Sequence, residues 1–231
     1  MTSTALFYAI LAGVIPSLIW LFFWLREDGT HPEPRFLLAG TFLGGMLAVL
    51  IAIIGEHAIA SFVTDLSLRY TAWAALEEIV KFALVTLIAL RTIHNDEPID
   101  AMIYCITGAL GFAALENVLF ILGPLSDGEI VASIVTGNLR FIGATLVHVV
   151  SSAVVGFAIG LTFYRRPTIR ICAAVAGLVA AIAVHAAFNL SIIDINAAGA
   201  LKTFGWIWGA VVILIILFEE VKVIQPKIFR L

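Results

Sequence analysis

The chain has 231 residues, 62% of them hydrophobic and 13% charged, with a formal net charge of −3. A soluble globular domain is nearer ~45–50% apolar and ~25% charged. This composition, with a mean hydropathy of +1.10, therefore excludes one and indicates a protein built into a lipid bilayer. No basic tail or stripe is present, which argues against nucleic acid as a partner.

A helix needs ~20 apolar residues to cross a ~30 Å hydrocarbon core. In chain order, about seven stretches meet that length: 4–25, 36–62, 70–91, 99–123, 136–164, 171–191 and 200–218. The first, opening MTSTALFYAI, has no basic n-region and no small-residue cleavage site, so it reads as a span and not as a cleaved signal. The connections REDGTHPEPR (26–35) and RTIHNDEPID (91–100) carry the charges and prolines of loops, and Asp65 and Asp194 fall in two others. Backbone groups in lipid must be satisfied within a helix or a closed barrel. No barrel-like alternation appears, so the expected fold is an all-α polytopic transmembrane helical bundle, one domain over residues 1–231. The two cysteines, Cys105 and Cys172, lie in apolar stretches without ligand spacing and read as packing residues.

Basic residues set the orientation. Arg26, Arg35, Arg91, Arg165, Arg166, Arg170, Lys222, Lys227 and Arg230 fall on one side, and Arg69, Arg140 and Lys202 on the other. The N-terminus is therefore expected outside and the C-terminus in the cytoplasm. Trp206 and Trp208 then sit near the outer end of the last span, where interfacial aromatics gather.

Against this apolar background three carboxylates and two histidines stand out inside spans: Glu77, Glu78, Glu116, His148 and His185. A charge at the bilayer centre costs at least ~2.5–3.5 kcal/mol on insertion scales, so such groups pair, bind something or do chemistry. They lie on four spans running in both directions, yet all fall roughly 6–12 residues below an outer end, or roughly 9–18 Å at 1.5 Å per residue. One polar chamber open to the outer face is the expected arrangement. Lys81, at i+3 from Glu78 and i+4 from Glu77, is placed to neutralise one carboxylate. The two adjacent glutamates point about 100° apart on a helix of ~3.6 residues per turn and so are expected to differ in role. Asn117 follows Glu116, His185 shares a face with Asn189, and His148 has Ser151 and Ser152 one turn on. Glu56 and His57, near the outer end of span two, suit an interfacial position as well as the site and are left out of it. Arg140 is expected at the outer interface or paired with a carboxylate.

Four segments carry a resemblance: EEIVKF (77–82), GFAALEN (111–117), the histidine of LVHVVSSAVVG (146–156) and HAAFN (185–189). In this order they resemble the PrsW family of intramembrane proteases, part of the wider group of CAAX- and bacteriocin-processing membrane proteases. PSLIWLFFWLREDGTHPEPRFLLAGTFLGG (16–45) and DAMIYCITGALGFAALEN (100–117) are also similar to that family, so the likeness spans about residues 14–190. It implies hydrolysis of a peptide bond of a membrane-embedded protein near the outer face of a prokaryotic plasma membrane. The implied substrate type is an anti-sigma factor. By position, Glu77 and Glu78 match the paired-glutamate motif, Glu116 the glutamate of the following helix, and His148 and His185 the two histidine motifs. Lys81 stands where members of the wider group often carry arginine.

A carboxylate in a low-dielectric pocket becomes a better base near neutral pH. Glu77 or Glu78 is thus the expected base, the other pairing with Lys81. His148 and His185, with Asn189, are expected to stabilise the oxyanion, and Glu116 to orient a histidine or the water. The same groups suit a metal: His148, His185, Glu116 and Glu78 would provide ligands for Zn²⁺ with a position left for water. No H-E-x-x-H spacing is present, and the sequence reading leans slightly to no cofactor. Intramembrane carboxylates and histidines also mark ion paths, so an ion- or proton-coupled transporter, or a non-catalytic membrane scaffold, stands as the alternative.

Overall fold

The computed structural model describes residues 3–26, 31–192 and 197–225. Asp194, Lys227 and Arg230 lie outside them. Among the described residues there are helices and turns and no strand. The helices are α1 (Ser3–Leu25), α2 (Arg35–Phe62), α3 (Leu66–Val85), α4 (Asp100–Ser126), α5 (Ile130–Leu161), α6 (Pro167–Ile192) and α7 (Ala197–Lys222). A π-helical turn over Thr86–Leu90 extends α3, and another over Arg140–Ala144 interrupts α5. Among the described residues, six helices are long and apolar enough to cross a membrane by length and composition. The exception, α3, carries Glu77, Glu78 and Lys81, and all three are buried in the bundle. Its charges face protein instead of lipid, which is how a helix of modest hydropathy is accommodated here.

The middle of the bundle is α4. Every residue from Asp100 to Ala114 is buried, with α1, α2 and α5 packed against it. The α2–α4 crossing is close because it is lined by glycine. A Cβ on Gly111 would collide with the carbonyl of Phe42, and one on Gly45 with the carbonyl of Gly108. Small residues at such crossings replace the hydrophobic driving force that lipid removes. The outer face of the bundle is apolar, as lipid requires, with Phe22, Leu43, Ile54 and Val179 among its exposed residues.

Two helix starts differ from the sequence reading. Asp65 is not merely a loop residue: its Oδ1 accepts from the Leu68 amide at 2.7 Å and caps α3, an N-cap of the usual chemistry. Span five begins at Ile130 and not near 136. The chain reverses in a tight turn at Gly128, whose φ of 83° is open to glycine without steric penalty. Cys105 is buried in the core while Cys172 is exposed, so only the first packs as expected.

The end of the bundle that the basic residues assign to the cytoplasm holds its own polar cluster. The hydroxyl of buried Tyr104 donates to the Glu33 carboxylate. Asp100 Oδ2 accepts from the amides of Asp96 at 2.8 Å and Glu97 at 2.6 Å. His31 pairs with Glu97 at 2.9 Å. These contacts tie the first loop to the second and both to α4.

Candidate active site

The three polar residues of α3 separate by helix geometry. Glu78 and Lys81 lie one turn apart, and Lys81 Nζ donates to Glu78 Oε1 at 2.5 Å with both side chains almost fully buried. Glu78 is the hub of the site. Its Oε1 also accepts from Ser151 Oγ at 2.9 Å and faces His185 Nδ1 at 2.8 Å, and its Oε2 accepts from Ser152 Oγ at 3.3 Å. One carboxylate thereby joins α3, α5 and α6.

The second hub is Glu116 on α4. Its Oε2 accepts from Arg140 at 2.5 Å and lies 2.8 Å from His148 Nε2. Arg140 also donates to Asn117 Oδ1 at 2.6 Å, Asn117 donates to Thr145 Oγ1 at 3.0 Å, and the guanidinium stacks 4.0 Å over Phe120. Arg140 opens the π-helical turn of α5. Such turns shift the register of a helix and recur at functional sites. Here Arg140 and His148 reach the same oxygen from eight positions apart.

The two hubs meet at the histidines. The rings of His148 and His185 stand edge to face with centroids 4.8 Å apart, and Phe112 packs 5.1 Å from His148. Lys81 Nζ lies 3.1 Å from His148 Nδ1, and His148 Nε2 lies 2.8 Å from Glu116 Oε2. His185 Nδ1–H donates to Glu78, which leaves the lone pair of its Nε2 free. That nitrogen is 3.7 Å from Glu77 Oε2. Glu77 Oε2 is itself buried and has no hydrogen-bond partner. Glu77, His148 and His185 each offer a ligand atom, and these atoms all lie within 4.8 Å of one another.

All five ionisable residues singled out in the sequence thus converge, with Lys81 and Asn117 among them. Asn189 is half-buried one turn from His185, but the hydrogen-bond partner of His185 is Glu78. The adjacent glutamates do differ: Glu78 is saturated by donors, whereas Glu77 Oε2 has none. Two further residues belong to the site. Arg140, left between interface and ion pair by the sequence, is paired with Glu116. Glu56 on α2, set aside there, has its carboxyl within hydrogen-bonding reach of Glu77. Its signal was present in the sequence: it lies six positions inside the end of α2 at Phe62, as deep as the other groups.

Glu56, Glu77, Glu78 and Glu116 face two cations, Lys81 and Arg140. Uncompensated charge in a low-dielectric interior is strongly destabilising, so a buried carboxyl there is either protonated or bound to a cation, such as a divalent metal. An orphaned carboxylate oxygen, a free imidazole nitrogen and a second imidazole make a donor set suited to such an ion.

A family model described as "PrsW family intramembrane metalloprotease" matches residues 33–219. Among curated proteins the chain is similar to the "Protease PrsW" of Geobacillus kaustophilus, 28% identical over 67% of each chain. It is also similar to that of Bacillus subtilis, 23% identical over 72% of this chain and 74% of the other. The protein of the same name from Clostridioides difficile is 30% identical over 48% of this chain and 49% of its own. No solved structure matches.

Proposed function

The chain belongs to the PrsW family of intramembrane metalloproteases, and on that premise we propose that it cuts a membrane-embedded protein near the outer face with a divalent metal held by Glu77, His148 and His185. It is a multi-pass membrane protein and a peptide hydrolase of bacterial type, which sets aside the transporter and scaffold alternatives. The observation that carries the metal is Glu77 Oε2, buried, without a donor, and 3.7 Å from a histidine nitrogen whose other ring atom is already bonded. This replaces the lean toward metal-free chemistry, and it assigns the ligand role to Glu77 in place of Glu78 and Glu116.

Such a metal supplies activation of water and polarisation of a carbonyl. The chain's own groups then divide the remaining work. Glu78, locked by Lys81, Ser151 and Ser152, fixes the tautomer and orientation of His185, as carboxylates behind metal-binding histidines do. Glu116 is the more exposed hub, at 19% of its side-chain surface against 1% for Glu78. It takes the proton from the attacking water and returns it to the departing amine. Arg140, beside it, is the donor placed to hold the developing oxyanion. The substrate is a single-span membrane protein cut on its extracytoplasmic side, with an anti-sigma factor as the type.

The test is metal analysis of the purified chain, paired with co-expression of tagged single-span substrates. Wild type should carry a stoichiometric transition metal and release a fragment, and Glu77→Gln should do neither. A fully active wild type free of metal sinks the reading and restores a glutamate-only site.

A further inference from the structure

We propose that Glu56 is a positioning residue of the metal site, reaching from α2 to set the carboxylate of Glu77 and to draw a divalent cation in from the outer face. This rests on the reading of Glu77, His148 and His185 as the metal-holding set.

The outer end of α2 is fixed against α3 at this level. The indole N–H of Trp73 donates to the carbonyl of Glu56 at 3.2 Å. One residue earlier, a Cβ on Gly55 would come 2.5 Å from the Leu76 side chain, so that leucine packs onto the glycine beside Glu77. Glu56 is thereby held with its carboxyl against that of Glu77. Its neighbour His57 is exposed and turns its ring back to the carbonyl of Ile53 on its own helix, 3.2 Å away. Proximity to the outer loop alone does not account for the inward placement of Glu56.

Glu56 and Glu77 meet carboxyl to carboxyl across the α2–α3 contact. Both cations of the cluster are engaged elsewhere, Lys81 with Glu78 and Arg140 with Glu116. Glu77 Oε2 is buried and has no hydrogen-bond partner. A carboxyl placed against a ligand carboxyl fixes its rotamer, as groups that support metal ligands do, and affinity for a divalent cation rises with that fixation. Access agrees. Glu77, His148 and His185 are buried, whereas Glu56 is half-buried near the end of its helix, so an ion arriving from outside meets Glu56 first.

The experiment is a titration of the metal-stripped full chain in detergent with Zn²⁺ against a competing chelator, with no substrate present. Glu56→Gln should weaken binding by about 10–100-fold, the range typical of groups that support a metal ligand. Glu56→Asp should recover part of the loss, and His57→Gln should bind as wild type. Circular dichroism and the thermal midpoint of each metal-free variant report folding separately. Wild-type affinity in a folded Glu56→Gln variant, with binding lost in Glu77→Gln, overturns this role and leaves the metal reading standing. Wild-type affinity in both Glu77→Gln and His185→Ala overturns the reading beneath it.

Discussion

The bundle buries carboxylates at both ends, and the two clusters are finished differently. At the cytoplasmic end Asp100 accepts two backbone amides and Glu33 accepts the Tyr104 hydroxyl. Both carboxylates there have donors, the buried atom left unpartnered at that end is the neutral amide oxygen of Asn95, and the products of the cluster are two loops pinned to α4. At the outer end Glu78 is as well satisfied, but Glu77 one residue away has a buried oxygen with no donor. Buried polar atoms in native proteins are nearly always paired, so an exception calls for a reason. A structural cluster closes on itself, whereas a working one keeps a valence for something the chain does not encode.

The sharpest way to break this contrast is to remove the atoms that face the open valence. His185→Ala and His148→Ala should each abolish substrate cleavage and metal retention. Both should leave the cytoplasmic cluster and the bundle intact by limited proteolysis. A variant that keeps its metal but loses cleavage would move that histidine from ligand to catalytic donor.

Glu78→Gln tests the satisfied half of the outer site. It leaves the Lys81 ammonium buried beside a neutral amide, and stranding one member of a buried pair destabilises by about 3–5 kcal/mol. His185 loses its fixed acceptor at the same time, for an expected drop of about 10–100-fold in metal affinity. Both effects are measurable on one preparation, by unfolding in mixed micelles and by chelator competition. A loss of stability without a loss of affinity would make Glu78 a purely structural tie.

Much of this was legible before any coordinates. Hydropathy marks spans because lipid tolerates little else, and for the same reason a charge inside a span announces itself. That logic found Glu77, Glu78, Glu116, His148 and His185. It did not tell Glu77 from Glu78, because adjacent residues share a depth and only the rotation of α3 against α5 and α6 decides which meets the serines. Arg140 and Glu56 stay ambiguous in sequence because a long side chain near a helix end can run to the interface or inward, and packing chooses. The start of α5 was misplaced because residues 130–135 follow a turn set by the backbone of Gly128, a signal that hydropathy does not carry.

At the cytoplasmic end the same contrast predicts changes in stability without changes in chemistry. Tyr104→Phe leaves Glu33 buried without its donor, at a cost of about 1–3 kcal/mol, and should leave metal affinity at the wild-type value. A subtler effect is one of pH. Burial raises the pKa of Glu33 above its ordinary value, an effect that outweighs the Tyr104 hydrogen bond. The folded state therefore binds a proton more tightly than the unfolded chain does. The stability this contributes is fully present below the unfolded pKa, near ~4.3, and is lost as pH rises through the higher folded value. Wild type should accordingly lose stability over that interval, and Glu33→Gln, which cannot ionise, should show a shallower slope. Identical slopes in the two proteins would mean that the loops at this end do not depend on Glu33. The closed cluster would then lie in the backbone contacts of Asp100 alone.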